Sequence, residues 1–165
     1  MKILFFNPHI SLWAHTLPEA YLARSLKEKG YDISYLSCGE IQTYSAVISS
    51  WGISPNKSTK KDAINCANLN KKSIKAICKS YKFSQEMLDN FLTKDELIEI
   101  NNIISKTIKE KSLDLEFFGI NIGRLSLYEL ILHHKKMSIK LNSKQWKDYK
   151  IYLFNSLVIL KSFSN

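Results

Sequence analysis

The hydrophobic and polar positions change period twice within the first forty residues. Residues 2 to 6, Lys-Ile-Leu-Phe-Phe, form a short apolar run stopped by Asn7 and Pro8, the pattern of a buried strand that ends abruptly in a loop. From Pro18 the apolar positions Ala20, Leu22, Ala23 and Leu26 recur at helical spacing. Glu19 lies near the positive end of that helix, Lys27 and Lys29 near the negative end, and Gly30 closes it. Tyr31, Ile33 and Tyr35 then alternate against Asp32 and Ser34, which predicts a second strand. Strand, helix and strand joined by such short loops predict a right-handed βαβ unit with parallel strands, spanning residues 1–48.

Beyond Cys38-Gly39 the strand signal fades, and the remainder, 49–165, is expected to be mainly helical. A cluster of Gly, Pro, Asn and Ser between Ser49 and Asp62 marks a loop. A helix is expected from Asp62 to near Tyr81, and a short one from Ser84 through Met87, Leu88 and Phe91. Thr93 with Glu96 three residues later reads as a capping box opening the clearest helix, on Leu97, Ile100, Ile103, Ile104 and Ile108. Gly119 and Gly123 flank a turn or brief strand. An apolar helix then ends in His133, His134, Lys135 and Lys136, a basic finish that suits a negative helix end, and Ser143 is expected to cap the last helix. The fold class is α/β, with a Rossmann-like βαβ start, a largely helical second half, and one domain over 1–165. A parallel sheet with two evident strands is short of the usual number, so the chain reads as the leading part of something longer.

Composition narrows the classes. The apolar share of 45% and charged share of 24% are those of a globular protein, and no apolar run reaches the length that crosses a bilayer or forms a secretory leader. A cytoplasmic location is the expectation. The net charge of +9 favours polyanions, anionic membrane surfaces or phosphate-bearing substrates, and lysines 60, 61, 71, 72 and 75 form one candidate patch for peripheral contact with an anionic membrane. A solvated lysine-rich helix face is the plainer account of that patch. Cys38, Cys66 and Cys78 are odd in number and widely spaced, with no Cys-x-x-Cys pair to hold zinc, so they read as reduced, buried thiols. No metal is expected, and no Gly-rich phosphate loop is present.

Chemistry concentrates in the loop from Asn7 to Leu17, because ligands of an open α/β sheet bind at the carboxyl ends of its strands. His15, just before the expected helix, is placed to act as a general base, since a helix N-terminus disfavours the imidazolium cation; the plainer account of His15 and His9 is a pair of loop residues hydrogen-bonded to backbone. Trp13 could stack on a sugar or nucleotide ring, or simply close the end of the helix.

The pattern His15-x-x-Pro18, Leu22-Ala23-x-x-Leu26, Gly30 and then Asp-Ile-Ser-Tyr-Leu resembles the opening of glycosyltransferases with the GT-B fold. Segments around Cys38, Cys66 and the stretch Gly123, Arg124, Tyr128 and Glu129 are similar to a helical insertion in bacterial members that assemble surface polysaccharide. That resemblance implies the N-terminal, acceptor-side region of an enzyme moving sugar from a nucleotide donor to a glycan or lipid-linked acceptor. It implies His15 as catalytic base, and Asn7, His9, Trp13 and Glu19 as acceptor-binding residues. It also implies that the nucleotide-sugar donor binds a second domain beyond this chain, that the chain alone is inactive, and that nucleic acid is not a partner. Where relatives carry Cys-x-x-Cys, this chain has Cys66-Ala67-Asn68-Leu69, which removes a metal or redox role there. Two alternatives stand beside this reading. One is a cobalamin-binding domain, although the Asp-x-His-x-x-Gly signature is absent; the other is a non-catalytic interaction module.

Overall fold

A computed structural model describes all residues from Met1 to Asn165. The elements in chain order are β1 (Lys2–Phe6), α1 (Trp13–Glu28), β2 (Asp32–Ser37), α2 (Ala46–Ser50), α3 (Lys60–Tyr81), β3 (Ser84–Met87), α4 (Lys94–Glu110), β4 (Glu116–Phe117), β5 (Ile120–Asn121), α5 (Ile122–His133) and α6 (Ser143–Ser164). Two compact units result. The first holds Met1–Ser54 and Ser58–Asn90, the second Pro55–Lys57 and Phe91–Asn165. The protein is thus α/β, with a parallel sheet at its start and a mostly helical remainder.

The first unit is a three-stranded parallel sheet in the order β1-β2-β3. Phe5 is in register with Tyr35, and the two rings stack at 5.4 Å; Tyr35 stacks in turn on Phe83 at 5.5 Å. This aromatic ladder crosses the sheet and adds about 0.5–1.5 kcal/mol per pair beyond simple area burial. Ala20 and Ala23 of α1, and Ile74, Ile77 and Cys78 of α3, share one core with Ile33 and Tyr35, so both crossover helices cover the same sheet face. Sequential strand order with right-handed crossovers requires that arrangement.

The third strand corrects the expected short helix at Ser84. Its sequence, Ser-Gln-Glu-Met, is polar and mostly exposed, so no apolar alternation marks it; pairing of Ser34 through Ser37 with Ser84 through Met87 makes it a strand. β1 is the other edge. Asp32 N–H donates to Met1 O and Asn7 N–H donates to Leu36 O, so the odd residues of β1 bond to β2. The parallel pattern then turns the N–H and C=O groups of Lys2, Leu4 and Phe6 toward the open side.

In the second unit α6 packs along both α4 and α5 around Ile100, Ile104, Leu130, Leu153, Leu157 and Val158. The Thr93–Glu96 capping box opens α4 as the sequence predicts. The cap of α6 lies one residue earlier than Ser143: Asn142 accepts from the Lys144 and Gln145 N–H groups, and Gln145 reaches back to the Asn142 N–H. β4 and β5 form a two-residue hairpin whose turn residues, Phe118 and Gly119, both have positive φ. Gly123 accepts no side chain, because a Cβ there would strike the Leu113 carbonyl.

Candidate active site at the carboxyl end of the first strand

α1 begins at Trp13, not at Pro18, which stands sixth in the helix. A proline supplies a helical φ and sacrifices one hydrogen bond, here the one to the Ala14 carbonyl, so a helix can run through it when the tertiary structure holds both sides. The turn before it does so: Leu12 N–H donates to His9 O at 2.7 Å, and Thr16 N–H donates to Leu12 O. His15 therefore sits inside the first turn of α1 rather than ahead of it. Its side chain is exposed.

Asn7 organises the loop. Its side chain is buried, its amide donates to Thr16 Oγ1 at 3.3 Å and to Glu19 Oε2 at 3.2 Å, and its carbonyl oxygen accepts from His9 N–H at 3.0 Å. Thr16 in turn donates to Ile10 O. Burial pushes the Glu19 carboxyl up, against the pull of the Asn7 amide. Tyr35 is raised as well, by burial and then by the Glu19 carboxylate. Asn7 and Glu19, expected to touch an acceptor, are engaged inward with α1 and the sheet.

His9 is half-buried, and its Nδ1 has no hydrogen-bond partner. Burial lowers its pKa first and the charge of nearby His15 lowers it further, so His9 is neutral at pH 7. His9 thus lies near enough to His15 to feel its charge. Trp13, half exposed, does not join them: two residues before His15 on a helix, it projects from nearly the opposite side.

A second polar knot lies behind the loop. Ser11 Oγ donates to Asn70 Oδ1 at 2.8 Å; the Asn70 amide donates to Cys38 Sγ at 3.1 Å, and Cys38 Sγ–H donates to Pro8 O at 3.1 Å. Cys66 lies 3.3 Å from Ser45 Oγ. Burial, with Cys66 nearby, pushes the Cys38 thiol up to about 12, and burial raises Cys66 too. All three cysteines are free and buried, so these sulfurs act as hydrogen-bonding filler rather than nucleophiles. Asp89 accepts from the Glu40 and Ile41 N–H groups, and a Cβ on Gly39 would collide with its carboxylate.

Asn70 and Asp89 escape a reading of the sequence, since each lies far along the chain from what it holds. The one signal is Gly39 directly after a strand, which marks a close approach. The lysine patch lies on α3 and is exposed, with Lys71 paired to Glu40 at 3.1 Å. Of the Gly-Arg-x-x-x-Tyr-Glu set, Gly123 packs tightly, Arg124 pairs with Asp114 at 3.0 Å, and Tyr128 and Glu129 face solvent. No group of three His, Cys, Asp or Glu side chains gathers where it could hold a metal ion. No family model, curated protein or solved structure matches the chain.

Proposed function

We propose that the sheet unit is the acceptor-side, Rossmann-like part of a GT-B type glycosyltransferase, with His15 the base for the acceptor hydroxyl. The observation that carries this reading is the placing of two imidazoles at the carboxyl end of β1: His9 half-buried with its pKa lowered by burial, His15 exposed in the first turn of α1. In the proposed step the acceptor oxygen attacks the anomeric carbon of a nucleotide sugar. His15 takes the hydroxyl proton, and the bond from the anomeric carbon to the diphosphate breaks, releasing the nucleoside diphosphate. Asn7 and Glu19 act as positioning residues that hold the loop, and His9 lies beside the acceptor.

The strand order supports the location. Ligands of open α/β sheets sit where the order of strands reverses, and both crossovers here run the same way, so a further strand added beside β1 would put such a reversal at the carboxyl end of β1. The donor nucleotide belongs to a wall on that side, contributed by a further domain. The reading is tested by NMR titration with short oligosaccharides and polyprenyl-diphosphate-linked sugars. Expected are shifts of the His9 and His15 ring signals, with binding retained in His15→Gln. Shifts confined to α3 or to the second unit, with both imidazoles silent, overturn it and favour the interaction module.

A further inference from the structure

The connection between α5 and α6 carries a concentration of charge that the proposed chemistry does not use. Between Lys135 and Lys150 there are six lysines, at 135, 136, 140, 144, 147 and 150, and one acidic residue, Asp148. All six lysines are exposed, and none forms an ion pair. Asp148 neutralises none of them: it is 2% exposed and faces His134 Nε2 at 3.6 Å. Lys144, Lys147 and Lys150 climb the first two turns of α6 on the side away from buried Tyr149 and Tyr152, continuing the charge of the loop. At the loop itself Met137 is fully exposed, with Ile139 and Leu141 half-buried beside it.

From this we infer that the α5–α6 loop and the first turns of α6 form a docking surface for an anionic lipid bilayer. Lysines attract acidic headgroups over a Debye length, while Met137 inserts its apolar side chain among the acyl chains near the surface. The composition selects a membrane over nucleic acid. The patch contains no arginine and its aromatic residues, Trp146 and Tyr149, are not presented for base stacking; its exposed apolar group is a flexible thioether at the tip. The residues of this surface belong to the helical unit and none of them takes part in the proposed sugar transfer, so this inference stands or falls independently of it.

The test is sedimentation of the full chain with phosphatidylcholine vesicles, with and without about one third phosphatidylglycerol. Binding is expected only to the anionic vesicles, weakening as added salt shortens the Debye length from about 10 Å toward about 3 Å. Lys135→Glu with Lys136→Glu should weaken it by about 25-fold or more, at roughly fivefold per lysine removed. Met137→Asp, at a site with nothing to unfold, should weaken it about tenfold by removing the inserted apolar group. Lys60→Glu with Lys61→Glu on α3 removes the same charge elsewhere and should leave binding within a few-fold. An equal loss in that control reduces the effect to net charge and overturns the proposal. Tight binding to single-stranded RNA that survives Met137→Asp, with no vesicle binding, overturns it in favour of a nucleic-acid surface.

Discussion

The two units bury polar side chains in different ways. In the sheet unit they converge at the carboxyl ends of β1 and β2: Asn7 holds Thr16, and Asn70 holds both Ser11 and Cys38, through bonds spanning 9 to 59 residues of chain. In the helical unit Tyr149 and Ser126 each make a single bond across helices, to Gly123 O and Ser156 Oγ, and the buried hydroxyls of Thr107 and Ser162 bond within their own helix, to Ile103 O and Val158 O. The second kind relieves a local desolvation cost and specifies nothing beyond the helix. The first kind commits distant segments to one arrangement, which is what a binding loop requires before a ligand arrives. Convergent polar burial is therefore a better marker of a site than the presence of histidine or tryptophan alone.

The sharpest test of this contrast is steric. Gly123→Ala puts a methyl group against the Leu113 backbone, which cannot swing aside, and should cost about 3 kcal/mol, read as a lowered thermal midpoint of the helical unit. Next in size is the polar knot. Asn70→Leu leaves Ser11 and Cys38 facing an apolar group and should cost about 2 kcal/mol by urea unfolding, with the His9 and His15 signals shifting in the NMR spectrum. Ser162→Ala, by contrast, should stay within about 0.5 kcal/mol, because the Val158 carbonyl keeps its place in the helix. Similar costs for the two would erase the distinction drawn between the units.

Smaller still is the cap of α4. Thr93→Ala should cost about 1 kcal/mol of helical-unit stability. Its partner gives the effect a pH signature. The Thr93 N–H, with Asn165 and Lys161 nearby, holds the Glu96 carboxyl down to about 2. A carboxylate depressed in the folded state contributes stability above its ordinary value near 4.5, and that contribution disappears as pH falls toward about 2. Urea midpoints between those limits should fall more steeply in the parent chain than in Glu96→Gln, which has no carboxyl to titrate. Parallel profiles would show that Glu96 does not carry this pH dependence.

How much of this was legible in the residues varies with the range of the interaction. The first two strands, the closing Gly30 and the Thr93–Glu96 box are local features, and each lies where the pattern places it. The start of α1 was not legible, because Pro18 announces a helix entry while the bonds among His9, Leu12 and Thr16 begin the helix a turn and a half earlier. That shift changed the site, carrying His15 into the helix and turning Trp13 away from it.

By itself the sequence determined the periods of the elements, the parallel βαβ start and the basic character of the α5–α6 loop, since these depend on residues within a few positions of one another. Only the tertiary structure decided that a polar Ser-Gln-Glu-Met segment is a strand, that Asn7 and Glu19 face inward, and that His9 is half-buried near His15. The physical reason is common to all three. An edge strand exists through its neighbour's hydrogen bonds, and a side chain's charge and direction are set by what packs around it from distant parts of the chain.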